Sequence, residues 1–165
     1  MPKYATEDIR TIALVGQGGA GKTLLAEALL AKAGAIPAMG SLERGSTVCD
    51  YDPLEAQHGH SLNLAVAHLE YQNSLVYLLD APGYPDFLGH ALPALSAVET
   101  AAVVIDAQNG VEMTTTRMMH WAAKRKLCRL VIVNKIDAEN VDLPKLVDEI
   151  RAAFGKECLP INLPA

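Results

Sequence analysis

The run Gly16-Gln17-Gly18-Gly19-Ala20-Gly21-Lys22-Thr23 follows the apolar residues Ile12 to Val15 and opens a helix-forming stretch, Leu24 to Gly34. A strand that ends on glycines and turns at once into a helix constrains the fold more than anything else in the chain. The pattern G-x-x-x-x-G-K-[ST] lets backbone N–H groups curl around phosphates, while the helix N-terminus adds partial positive charge. Gly16, Gln17, Gly18, Gly19, Ala20 and Gly21 are then the cradle. Lys22 reaches the outer phosphates, and the Thr23 hydroxyl ligates Mg²⁺. A glycine-rich turn without a ligand is the plainer alternative, and the strand–loop–helix setting opposes it. The loop does not name the base.

A second signal is Leu75-Val76-Tyr77-Leu78-Leu79-Asp80-Ala81-Pro82-Gly83. An apolar strand delivers Asp80 to the edge where open α/β sheets bind ligands. Asp80 can hold a magnesium-bound water there, and Gly83 can offer its N–H to a γ-phosphate. A turn or capping role for Asp80 is the alternative, given the Pro82-Gly83 pair. The third signal is Asn134-Lys135-Ile136-Asp137, directly after a buried strand. An Asp carboxylate accepts from both N1–H and the exocyclic amine of guanine, whereas adenine presents a lone pair at N1 and leaves the acid unpaired. Asn134 and the Lys135 stem brace that loop. In this order the three motifs specify a guanine nucleotide, GTP or GDP.

Strand-length apolar runs alternate with helical periodicity, as in a parallel sheet covered by helices. The pattern predicts strands over 11–16, 62–71, 75–80, 101–106 and 130–134. It predicts helices over 22–33, 92–98, 112–126 and 143–154. Asp142 is placed to cap the last helix, with Pro144 in its first turn and Gly155 ending it. The second and third strands are too close for a crossover and must pair antiparallel through Gln72-Asn73-Ser74. The segment from Gly34 to Ser61 lacks periodicity, and a loop of that length in a compact domain is functional or disordered.

The chain has 165 residues, the size of one ordinary domain. Its formal charge is −5 and its longest basic run is Lys124-Arg125-Lys126. A phosphate-gripping face needs clustered cations, so direct nucleic-acid binding is not expected. That basic run reads as a solvated helix end complementing the helix dipole. Cys49, Cys128 and Cys158 are scattered, without a C-x-x-C pair, and suit reduced thiols of a cytoplasmic protein. Neither a secretory leader nor a membrane span is expected.

With all three motifs in order, the chain resembles the GTP-binding domain of translational GTPases, most closely elongation factor G and its divergent paralogues. The resemblance runs essentially end to end, through IALVGQGGAGKT, TVCDYDPLEAQHGHSLNLA, DAPGYPDF, AAVVIDAQNGVE and NKID. It implies an α/β P-loop G domain in three layers, mostly parallel, with one antiparallel edge strand. It further implies a first switch over about 36–61 and a second over about 80–97, with Ser61 as the metal-binding hydroxyl of the first. Metal contacts would come from Thr23, Ser61 and Asp80, and hydrolytic chemistry from the neighbourhood of Lys22, Gly83 and Tyr84. The ribosome would be the partner, reached through the full-length protein, and the domain would be a monomer.

Two departures lie in the catalytic neighbourhood. Tyr84 stands where typical elongation factor G has a water-orienting histidine, and Gly19 stands where it has an Asp. A phenol can position water but lacks an imidazole's proton affinity at neutral pH. The family's fifth signature, a Ser-Ala loop at guanine O6, finds no match after Asp137, so the resemblance implies a G domain stopped before its last elements. A guanine-nucleotide module with little hydrolysis is therefore a competing hypothesis, and a ribosome-protection type of GTPase is another. A P-loop kinase or ATPase is opposed by Asn134 to Asp137.

Further candidates read more plainly. His58, His60 and His68 could form a zinc site but suit solvated loop histidines better. Met113, Met118 and Met119 with Trp121 read as helix packing rather than a partner surface. Pro93 should start or kink a helix.

Overall fold

A computed structural model of the chain describes residues 3–162. A 3₁₀ turn at Thr6–Asp8 leads into β1 (Ile9–Gly16), α1 (Lys22–Lys32), α2 (Pro53–His58), β2 (Ala65–Tyr71) and β3 (Ser74–Asp80). A second 3₁₀ turn at Pro85–Phe87 precedes α3 (Leu88–Ser96), β4 (Thr100–Asp106), α4 (Met113–Lys124), β5 (Cys128–Asn134) and α5 (Leu143–Phe154).

The sheet order is β2-β3-β1-β4-β5. β1 pairs in parallel with β3 and β4, β4 with β5, and only the edge strand β2 is antiparallel, to β3. Successive residues of the central strands serve opposite faces, as the pleat requires. Ala13, Val15 and Val103 pack with Leu95 of α3 and Met118 of α4, while Leu14 and Ala102 pack with Ala26 of α1. Helix α5 joins the α3–α4 side, with Leu146 and Ile150 against Ile105. The product is a three-layer α/β/α sandwich. Leu14, Leu30, Leu95 and Ile105 are at most 2% exposed, and each such side chain contributes about 1.5–3 kcal/mol by leaving water.

The parallel strands end together, at Gly16, Asp80, Asp106 and Asn134. Every sequence motif that carries chemistry emerges at that edge, where crossover connections leave backbone groups free to meet a ligand. Among the described residues, no helix is long and apolar enough to cross a membrane.

Several predicted boundaries move for identifiable reasons. The hairpin turn is two residues, Gln72 and Asn73, both at positive φ (46° and 64°), and Ser74 already belongs to β3. This pair matches the twist of the flanking strands. β2 starts at Ala65 rather than Leu62 because the amides of Leu62 and Asn63 are taken by the Glu55 carboxylate. α3 begins four residues before the predicted Leu92 and carries Pro93 inside it. Pro93 cannot donate to the Gly89 carbonyl, yet its neighbours Ala91, Ala94 and Leu95 are fully buried and hold the helix together. α4 stops at Lys124, before Lys126 at φ 58°. Met118 and Met119 pack in the core as expected, whereas Met113 is 69% exposed at the helix start.

The segment after α1 also contains an element the periodicity does not show. Asp52 accepts a hydrogen bond from Leu54 N, and Glu55 accepts one from Asp52 N, a capping box that starts α2 on Pro53. Gly59, at φ 68°, ends it.

Candidate functional site

Gly16 closes β1, and the chain curls through Gln17 to Gly21 into α1. Gly21 is the helix N-cap at φ 86°, and a Cβ there would stand 2.5 Å from Asn134 Nδ2. Both its backbone and its surroundings therefore require glycine. Gly19, also at positive φ, faces open space, and Ala20 is fully buried. The Lys22 ammonium curls back to donate to Gln17 O at 2.8 Å and Gly16 O at 3.3 Å. Burial lowers its pKa to about 8, against the opposing pull of the Asp80 charge. Gln17 differs from the expectation for a cradle residue. Its side chain turns inward, donating to Gly110 O and Glu112 Oε1 and accepting from Thr115. Only its backbone faces the loop interior.

Thr23 Oγ1 donates to Asp80 Oδ2 at 2.7 Å and lies 3.1 Å from Ser61 Oγ. Ser61 in turn donates to Asp50 Oδ1 at 2.7 Å, and Asp50 Oδ2 accepts from Thr47 at 2.9 Å. The three residues named from sequence thus meet, although 57 positions separate Thr23 from Asp80. Asp50 is a fourth member that no motif names. Burial pushes the Asp80 carboxyl up to about 6, resisted by the Thr23 hydrogen bond and the Lys22 charge. Asp80 Oδ1 is buried with no hydrogen-bond partner among the described residues. An orphaned carboxylate oxygen beside two hydroxyls and a second carboxylate is a hard-oxygen donor set that fits Mg²⁺. The histidine alternative has no such geometry. The His58 and His60 rings stack at 5.9 Å, His68 faces Tyr77 from β2, and no group of three acid, His or Cys side chains could hold a metal among the described residues.

Ala81, fully buried, donates its N–H to Leu14 O. The chain then crosses the phosphate loop so closely that a Cβ on Gly83 would stand 2.3 Å from Lys22 Nζ and 2.6 Å from the Gln17 carbonyl. Tyr84 is 41% exposed, with its ring against Gly18 and against His60.

At the far side, Asn134 Nδ2 donates to Ala20 O at 2.9 Å, tying the end of β5 to the phosphate loop. Lys135, at φ 58°, turns its ammonium onto Asp106 Oδ2 at 2.7 Å. Burial works to raise the Asp106 carboxyl, but the bonds from Lys135 and the Gln108 amide outweigh it and hold the group below the usual range. Asp137 is exposed on the same loop. Asp106 too lies outside the three motifs, though an acid closing the apolar run Ala101 to Ile105 is a readable sign.

Two further buried acids fasten the segment before β2. Glu27, fully buried on α1, accepts from Gly40 N at 2.8 Å and Val48 N at 2.6 Å. Glu55, 1% exposed, accepts from Asp52, Leu62 and Asn63. Together they seat Ser61 beside Thr23.

A sheet of this order, with a glycine loop from β1 into α1 and the Asn134 loop closing over it, defines a P-loop nucleotide-binding domain. The family model of the elongation factor Tu GTP binding domain matches residues 7–161, and the chain belongs to that family. It is 38% identical over 157 residues to an elongation factor G-like protein of Mycobacterium tuberculosis, covering 95% of this chain and 22% of the relative. It is 37% identical over 159 residues to peptide chain release factor 3 of Nitrosomonas europaea, covering 94% of this chain and 30% of that protein. A crystal structure of a Thermus thermophilus protein superposes with a TM-score of 0.86 at 42% identity, over 89% of this chain and 22% of the other. The chain thus spans less than a third of the length of these relatives.

Proposed function

We propose that this domain binds GTP and GDP with Mg²⁺ and hydrolyses GTP to GDP and phosphate, as the switch of a longer ribosome-associated factor. The reading rests above all on one convergence: Lys22, Thr23, Asp80, Gly83 and Asn134, from three separate motifs, meet at one sheet edge. The phosphate-loop amides and Lys22 hold the phosphates. Asn134 and Lys135 set the loop on which Asp137 reads guanine. Thr23, Ser61 and Asp80 hold the metal, with Asp50 behind Ser61; bound Mg²⁺ would neutralise charge on the β- and γ-phosphates. Gly83 offers its amide to the γ-phosphate, and Tyr84 faces the attacking water. Residues 36–61 and 80–97 are the two switches, ordered by GTP and released after hydrolysis. The names of the relatives favour a translation role for the longer protein.

Multiple-turnover phosphate release from GTP, with ATP as the control, tests this reading. Release from GTP alone supports it. Tyr84 and Gly19 favour a second reading, guanine-nucleotide binding with little hydrolysis, which predicts bound GTP and no sustained release.

A further inference from the structure

Two buried side-chain atoms lack a hydrogen-bond partner among the described residues, Asp80 Oδ1 and His60 Nδ1. The first belongs to the oxygen cluster around Thr23. The second stands outside that cluster. A buried imidazole nitrogen left unpaired is costly, and such groups stand out against the general rule that buried polar atoms are satisfied.

His60 lies where the two switch segments and the phosphate loop meet. Its neighbour in sequence, Ser61, reaches Thr23 at 3.1 Å. Its own ring lies 4.6 Å from that of Tyr84, tilted by 49°, and 6.0 Å from that of Phe87. Tyr84 in turn rests on the phosphate loop, since a Cβ on Gly18 would stand 3.1 Å from the tyrosine Cε1 and Cζ. The side chain missing at Gly18 is what lets the phenol lie so low. Gly18, Tyr84 and His60 therefore form a roof beside Gly83 and Lys22, the edge of the loop that the outermost phosphate would face.

We propose that His60 holds the water that attacks the γ-phosphorus, with Tyr84 as the ring that fixes the imidazole. This rests on the reading that the domain hydrolyses GTP. The water oxygen bonds to the γ-phosphorus as the bond from phosphorus to the β–γ bridging oxygen breaks. GDP leaves with that electron pair, and both protons of the water stay on the released phosphate as dihydrogen phosphate. His60 orients the water through a ring nitrogen and takes up no proton.

Two variants separate the nitrogen from the packing. His60→Phe keeps a ring against Tyr84 and removes both nitrogens, whereas His60→Gln removes the ring and keeps a group that can hold water. Three quantities are measured on the chain with Mg²⁺: single-turnover GTP hydrolysis, GDP affinity, and the tightening of GDP binding by aluminium fluoride, which mimics the phosphoryl group in flight. The expected result is that His60→Phe slows hydrolysis about tenfold or more and loses the fluoride tightening while GDP affinity holds. His60→Gln should keep most of both. Wild-type behaviour of His60→Phe overturns the proposal, as does a loss of GDP affinity in step with rate in both variants. A wild-type chain that binds GDP yet shows neither turnover nor fluoride tightening overturns the hydrolysis reading and the role of His60 together. Turnover in the wild type and in His60→Phe alike overturns the role of His60 alone.

Discussion

Asn134 Nδ2 donates to the carbonyl of Ala20 across 114 positions of sequence, at 2.9 Å. This bond joins the loop assigned to the base with the loop assigned to the phosphates. Asn134→Ala should cost about 1–3 kcal/mol, because the buried Ala20 carbonyl loses its partner. Urea unfolding of the two chains measures that loss, and GDP affinity should fall with it. An unchanged midpoint would show that the two loops are held together by something else.

The assignment of the base rests on Asp137, exposed and free to meet a ligand. Asp137→Asn replaces an acceptor with a group that can donate, which suits the carbonyl xanthine has where guanine carries its exocyclic amine. GDP should weaken by about a hundredfold or more, some 3 kcal/mol, while xanthosine diphosphate gains. Competition of the two diphosphates against a fluorescent guanine nucleotide reads both changes. GDP affinity equal to wild type would refute the role of Asp137.

Glu27 fastens the segment proposed as the first switch to α1 through Gly40 N and Val48 N. Hydrogen bonds to a charged acceptor are worth about 1.5–3 kcal/mol each, so Glu27→Ala should cost about 3 kcal/mol or more. It should also release the segment before the rest of the domain opens. Amide hydrogen exchange at Gly40 and Val48 should accelerate selectively, while the amides of β1 and β4 stay protected. Uniform acceleration across the sheet would mean that Glu27 supports the whole fold and is not a local clasp.

Cys49, in the same segment, is 3% exposed and packs with Leu14, Ala26 and Ala65. Burial first, then the charges of Asp80, Glu27, Asp50 and Glu55, push its thiol up to about 12. A raised thiol pKa favours the neutral form in the folded chain, so thiolate appears at pH 8.5 only when the segment lifts. Alkylation with iodoacetamide should label exposed Cys128 on the order of a thousandfold faster than Cys49. The same burial contributes stability that is whole below about pH 9 and is lost as pH rises toward 12. Equal labelling of the two cysteines would contradict the seated segment.

The site is legible in the sequence where the chemistry lies within a few consecutive residues. A phosphate cradle needs glycines beside a Lys-Thr pair, a base reader needs its Asp at a fixed offset from Asn, and the structure brings the two stretches with those patterns together, with Gly21 and Asn134 in contact. Asp50 and Asp106 belong to none of the three motifs, because the Ser61 hydroxyl and the Lys135 ammonium that meet them stand 11 and 29 positions further on, and a lone acid reads as surface. Glu27 is instructive, since it falls on the same helical face as Thr23, Ala26 and Leu30, all buried. An acid on an apolar stripe must be paired, and that much is readable from the sequence alone. The inward turn of Gln17 is not, because the phosphate-loop pattern leaves that position free and its partners lie more than ninety residues on. Helix α2 is hidden by its brevity, six residues being too few for periodicity, although its capping box stands in plain view.

Calorimetric titration of the chain with GDP and, separately, with ADP, both with Mg²⁺, tests the central claim most directly. The account predicts saturable heat from GDP and none from ADP. Equal binding of the two, or silence from both with the fold intact, would contradict it.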